Sequence, residues 1–114
     1  MNYDGKIFRT IENTPNGEVS GETVFHYKQT GRVVTAQYAG GGIAMGQLIA
    51  LVDSQGCLDM RYHHVNAQGK LQTGTCHSVP EVLPDGRIRL HESWQWTSHD
   101  GSSGTSIVEE VRMA

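Results

Sequence analysis

Glu92 is the carboxylate hardest to account for in this 114-residue chain. It stands in Ile88-Arg89-Leu90-His91-Glu92-Ser93-Trp94-Gln95-Trp96, where alternation sets Ile88, Leu90, Glu92, Trp94 and Trp96 on one strand face. Arg89, His91, Ser93 and Gln95 take the other face. A carboxylate on an otherwise apolar face must find a donor or give up its charge, and a tyrosine, an arginine or a backbone amide is the partner to expect. The same alternation in residues 58–64 turns Leu58, Met60, Tyr62 and His64 inward, against Asp59, Arg61 and His63 outside. One ligand pocket follows, with Tyr38, Tyr62, Trp94 and Trp96 as walls and His64 and Glu92 as polar contacts. The same residues also suit a small barrel whose interior is simply filled.

Other combinations bear chemistry on paper. Asp59 should lie opposite His77, with His91 diagonally beyond, an arrangement suited to a metal or a proton relay. Exposed cross-strand Asp–His pairs are ordinarily surface contacts, and no CxxC, HExxH or EF-hand pattern occurs, so no metal site is expected. His63-His64 and Cys76-His77 are sequence neighbours, which a strand sends to opposite faces. Cys76 is expected inside, near Met60 and Trp94, where apolar surroundings suppress thiol reactivity. Ser98-His99-Asp100 spells a triad, but without a GxSxG elbow it reads as a hairpin tip. Residues 37–42, Gln-Tyr-Ala-Gly-Gly-Gly, fit the loose Q-x-x-G-x-G/A pattern of acetyl-coenzyme A binding in acetyltransferases. That use requires a helix N-terminus after the glycines, whereas Ile43 onward reads as a strand, and no cofactor is expected.

The elements that must position these residues are strands. Breaks rich in Gly, Asn, Asp and Pro recur at residues 13–21, 30–31, 40–42, 53–56, 66–69, 84–86 and 98–104. They delimit strands at about Lys6–Glu12, Thr23–Gln29, Val33–Ala39, Ile43–Val52, Cys57–Val65, Leu71–Val79, Ile88–Trp96 and Gly104–Val111. Short connections make sequence neighbours antiparallel partners. The fold expected is all-β, an up-and-down antiparallel barrel of about eight strands, with a two-sheet sandwich as the alternative. Turn lengths put Met60 opposite Cys76, Tyr62 opposite Gly74 and Trp94 beside Cys76, with Trp96 covering Gly74. The fourth strand is ambiguous. Either Gly46, Leu48, Ala50 and Val52 or Met45, Gln47, Ile49 and Leu51 face inward, and the apolar spacing of 42–52 also tolerates a helix. Gly40-Gly41-Gly42 favours a strand with a bulge.

The totals set the frame. A chain of this length makes one domain, residues 1–114, able to bury a single core. Hydrophobic residues at 37% and fourteen glycines suit a turn-rich globular β protein. A net charge of −3 without a basic cluster argues against nucleic acid as a partner. No apolar stretch approaches the ~20 residues of a membrane span, and the N-terminus has no signal-peptide core, so the expected location is the cytoplasm. Cys57 and Cys76 are accordingly expected to be thiols.

Tyr62-His63-His64, residues 84–92, Trp94-Gln95-Trp96-Thr97 and residues 16–23 resemble a group of small bacterial proteins over almost the whole chain. Members of that group often carry the label N-acetylglutamate synthase, and its architecture is similar to lipocalin-like or streptavidin-like barrels. The resemblance implies an acyltransferase, in which Glu92 or His64 would serve as general base. No catalytic residues are assigned to the group, so none are carried over. Three functional readings stand together at this point: a barrel binding a small-molecule ligand, an acyltransferase, and a structural domain forming a homodimer through an exposed strand face.

Overall fold

A computed structural model describes residues 1–111, so the last three residues of the single-domain reading lie outside the described residues. Eight strands form a closed barrel in which each strand pairs antiparallel with its sequence neighbours and β1 closes on β8. They are β1 Ile7–Asn13, β2 Val24–Thr30, β3 Val33–Gly40, β4 Ile43–Val52, β5 Leu58–Asn66, β6 Leu71–Val82, β7 Ile88–Trp96 and β8 Ser103–Glu110. The sandwich alternative is thereby replaced by full closure, which leaves no free sheet edge.

Alternation assigns the interior as the sequence suggested. On β5, Leu58, Met60 and His64 are buried and Tyr62 partly so; on β7, Ile88, Leu90, Trp94 and Trp96 are buried with Glu92 half-buried between them. β4 is a strand, and its inward set is Gly46, Leu48, Ala50 and Val52. Continuous pairing of Gly46–Val52 with Leu58–His64 fixes that face, and a bulge between Ile43 and Met45 takes up one residue, so Ile43 points inward as well.

Two details depart from expectation. β6 runs three residues beyond Val79, through Pro80. Its pairing with β5 ends at Leu58–Ser78, so the missing Pro80 amide leaves no ladder bond unmade. The register does set Gly74 beside both Tyr62 and Trp96, but the ring that occupies the space over Gly74 is that of Tyr62, not Trp96. Tyr38 lies over Gly46 and Trp94 over Gly104 in the same manner. Interior aromatics are thus seated where the facing strand carries no side chain.

The two ends of the barrel are built differently. At one end, Tyr3, Phe8, Leu58, Leu90 and Val108 are almost wholly buried, and the Tyr3 hydroxyl donates to the Gly56 carbonyl. Tyr3, Phe8 and Tyr27 pack ring against ring at centroid distances of 4.9–6.4 Å, plugging that end. At the other end lies the long β1–β2 connection, residues 14–23, which bends back over the barrel mouth. β1 and β2 pair only from Ile7 to Arg9, which frees this segment to do so.

Candidate functional site

Beneath that connection the barrel is not filled. A cavity of about 50 Å³ is lined by Phe25, Tyr38, Leu48, Met60, Tyr62, His64, Cys76, Glu92, Trp94, Trp96 and Ser106, and roofed by Asn13, Gly17, Glu18 and Val19. All six residues expected in the pocket, Tyr38, Tyr62, His64, Glu92, Trp94 and Trp96, lie on this wall. Trp94 and Trp96 meet edge to face at 5.5 Å, Tyr62 approaches Trp96 at 6.0 Å, and Phe25 stacks on Tyr38 at 4.9 Å.

The roof is tied down by polar side chains from the strands. Trp94 Nε1 donates to Asn13 Oδ1 at 3.1 Å, and Asn13 Nδ2 donates in turn to the Val19 carbonyl at 3.0 Å. Trp96 Nε1 donates to the Asn16 carbonyl at 3.0 Å, and Asn16 Nδ2 donates to the Ser103 carbonyl at 2.9 Å. Both indoles therefore hold the loop with their N–H edges while their rings line the space below.

Glu18 hangs from this roof. One of its carboxylate oxygens lies 2.7 Å from His64 Nε2 and the other accepts from Asn66 Nδ2 at 2.9 Å. The His64 side chain is 1% exposed, and Tyr38 Oη lies 2.9 Å from its Nδ1. A carboxylate against Nε2 requires the proton there, so in the neutral ring Nδ1 accepts from the Tyr38 hydroxyl. Burial pushes the Tyr38 phenol above its ordinary range, keeping it a donor. Asn66 also holds the β5–β6 turn, its Oδ1 accepting the backbone N–H groups of Gln68 and Lys70. One residue thus links turn geometry to the roof.

Glu92 sits deeper. Its two oxygens accept from Ser78 Oγ at 2.8 Å and Ser106 Oγ at 3.1 Å. The expected tyrosine, arginine or amide donor is replaced by two serine hydroxyls from the flanking strands, placed by cross-strand register at Ser78–Glu92 and Glu92–Ser106. Loss of hydration raises the Glu92 carboxyl above its ordinary value, and the hydroxyl bonds only partly offset that. Cys76 is buried beside Trp94 and Met60 in register, and burial pushes its thiol well up, which makes it a poor nucleophile.

The other sequence candidates are not assembled into sites. Asp59 and His77 face each other in register on the outer surface, but Asp59 pairs with Arg61 at 2.7 Å and His91 lies 2.8 Å from Glu81. Among the described residues, no three His, Cys, Asp or Glu side chains gather as metal ligands would. His63 is exposed while His64 is buried, as the strand period requires. Ser98 Oγ donates to Gln72 Oε1 at 2.6 Å, and His99 and Asp100 are exposed at the hairpin tip. Residues 37–42 run from β3 into β4, with no helix after the glycines.

Sequence reasoning missed Glu18, Asn66, Asn13, Ser78 and Ser106. A signal existed for Glu18, since it is the acidic residue in the longest break of the chain ahead of β2, and a long loop on a small barrel reaches its mouth. The serines are fixed by register alone: once Glu92 is placed, its cross-strand partners follow.

The comparison with protein families agrees with the barrel fold. A family model described as avidin-like protein matches residues 1–111. No curated protein and no solved structure matches the chain.

Proposed function

The chain belongs to the avidin-like family, and from that premise we propose that it binds a small, partly apolar molecule in the mouth half of its barrel. Avidin-like proteins bind small ligands such as biotin and often form oligomers. In the proposed site Tyr38, Tyr62, Trp94 and Trp96 are the walls and His64 and Glu92 the polar contacts, Glu92 being the one with acceptor capacity left, since Glu18 and Tyr38 engage both ring nitrogens of His64. The observation that carries the reading is the unfilled space itself. Small barrels ordinarily fill their interior with side chains, whereas this one keeps a cavity under a tied-down roof with a carboxylate at its floor.

The test is tryptophan fluorescence of the full chain titrated with biotin and a fragment panel of small polar and aromatic molecules. We expect a saturable change that is lost in Trp94→Ala, because Trp94 lines the cavity. No response across the panel, with a crystal structure showing a packed interior, would overturn the reading. The acyltransferase alternative is decided in parallel, with acetyl-coenzyme A and glutamate added and thiol release measured. We expect none, since the cavity wall holds no Lys or Arg to receive phosphates and no activated nucleophile.

We further propose that copies associate through the outer face of β3–β5. Val33 neighbours Leu51 and Met45 neighbours Val65 in register, and Ile49 lies between them, all exposed. Light scattering on the same samples reads the assembly state, and a monomer at every concentration refutes it. The cytoplasm is the proposed location, supported by two cysteines that stay unbridged.

A further inference from the structure

The cavity has an electrostatic character that restricts what it accepts. Two acids, Glu18 and Glu92, stand on its wall, and no Lys or Arg does. Glu18 is matched by His64 and Asn66. Glu92 is held by neutral groups alone, a serine hydroxyl on each oxygen and the Cys76 thiol beside them. A carboxylate has about four acceptor sites, so Glu92 retains capacity for a further donor beyond these. The indole N–H donors of the wall are directed to Asn13 and Asn16, which leaves π-faces, not N–H groups, to meet a ligand.

Indoles whose N–H groups are engaged, around a carboxylate with no positive partner, make a poor host for anions, the Tyr62 hydroxyl being the wall's remaining donor. They make a good one for positive charge, because aromatic faces attract cations within roughly 6 Å of the ring centre, Trp most strongly. Size points the same way. A water needs at least about 10–15 Å³ of such space, so this cavity holds roughly three to five waters, the scale of a small ammonium head group.

We propose that the ligand of this barrel is a small organic cation, an alkylated ammonium whose head group sits among Tyr62, Trp94 and Trp96 with its charge opposed by Glu92. This rests on the small-molecule reading above and names its ligand class. The groups facing Glu92 are Cys76 from β6, Tyr27 from β2, Tyr38 from β3, Tyr62 from β5 and Tyr3 from the plugged end. All are acids that burial keeps neutral, so none supplies the missing positive charge. A bound cation favours the ionised carboxylate; binding therefore releases a proton from the fraction of Glu92 that is protonated, and affinity rises with pH until Glu92 is fully ionised.

The test uses the full chain and three probes of one shape: choline, dimethylbutanol (its uncharged tert-butyl counterpart) and dimethylbutanoate (the corresponding acid). Calorimetry on the wild type is run in two buffers of different ionisation heat, at several pH values. We expect choline to bind at least about tenfold tighter than the alcohol, with proton release at low pH, and the acid not to bind. In Glu92→Gln the ratio of choline to alcohol affinity should fall to about one. If that variant fails to fold, the pH dependence and proton release on the wild type still decide. Equal binding of cation and alcohol overturns the cation while leaving the small-molecule reading intact. Silence toward all three probes also overturns it, and the fragment panel then judges the wider reading separately.

Discussion

Glu18 reaches His64 from the far side of the barrel mouth, 2.7 Å from Nε2, and so couples the longest loop to the most enclosed imidazole. Neither residue gains this partner from local structure, since they are 46 positions apart. The pair exists because Asn13, Asn16, Trp94 and Trp96 fix the loop above the cavity.

Glu18→Ala should therefore act on both stability and loop order. It removes an acceptor from a side chain that is 1% exposed and leaves Asn66 Nδ2 without its carboxylate. Leaving buried donors unpaired costs about 1–3 kcal/mol. Urea melts should show a loss of that size, and hydrogen exchange should show faster exchange confined to residues 14–23. A melt identical to wild type would mean that the pair contributes nothing net.

Glu92→Gln should stabilise the protein at neutral and higher pH. The native carboxyl titrates above its ordinary value of 4.5, so across that interval the folded state binds more protons than the unfolded state. Folding is then favoured in acid, and stability falls as pH rises through the native value. Glutamine carries no charge and escapes this loss. The gap between variant and wild type should be widest at neutral pH and close as the pH drops below 4.5. A gap independent of pH would show that burial of the charge is not the cause.

Gly74→Ala should distort the cavity wall. A methyl at this position would fall inside contact distance of the Tyr62 ring, with the Gln95 carbonyl at 2.7 Å on its other side. Overpacking of this kind costs about 1–3 kcal/mol. The melt should fall by that amount, and a structure should show Tyr62 displaced from Trp96. Unchanged stability would mean that the ring has room to yield.

Most of the barrel was legible in residue order because its connections are short. Turns at Asp53–Gly56, residues 66–70 and Pro84–Gly86 set the register, and register carries Met60 to Cys76 and Trp94 to Cys76 without further information. What alternation alone left open was β4, where both faces are apolar; its register with β5 across the Asp53–Gly56 turn decided it. The loop partners were illegible for another reason. Glu18 meets His64 through the path of residues 14–23, and no periodicity describes a path. Ring placement failed similarly at Gly74: register names the neighbours of a glycine, but rotamers decide which of them fills its space.

The aromatic plug around Tyr3 has a kinetic consequence. A barrel stoppered at one end has a single doorway, so arrival and departure share one route beneath residues 14–23. Two copies of the proposed ligand could not pass one another there, so any second compound would compete for the same entrance. For the proposed ligand, residence time would then be set by how often Glu18 lets go of His64, a property of the lintel above the door and not of the chamber behind it.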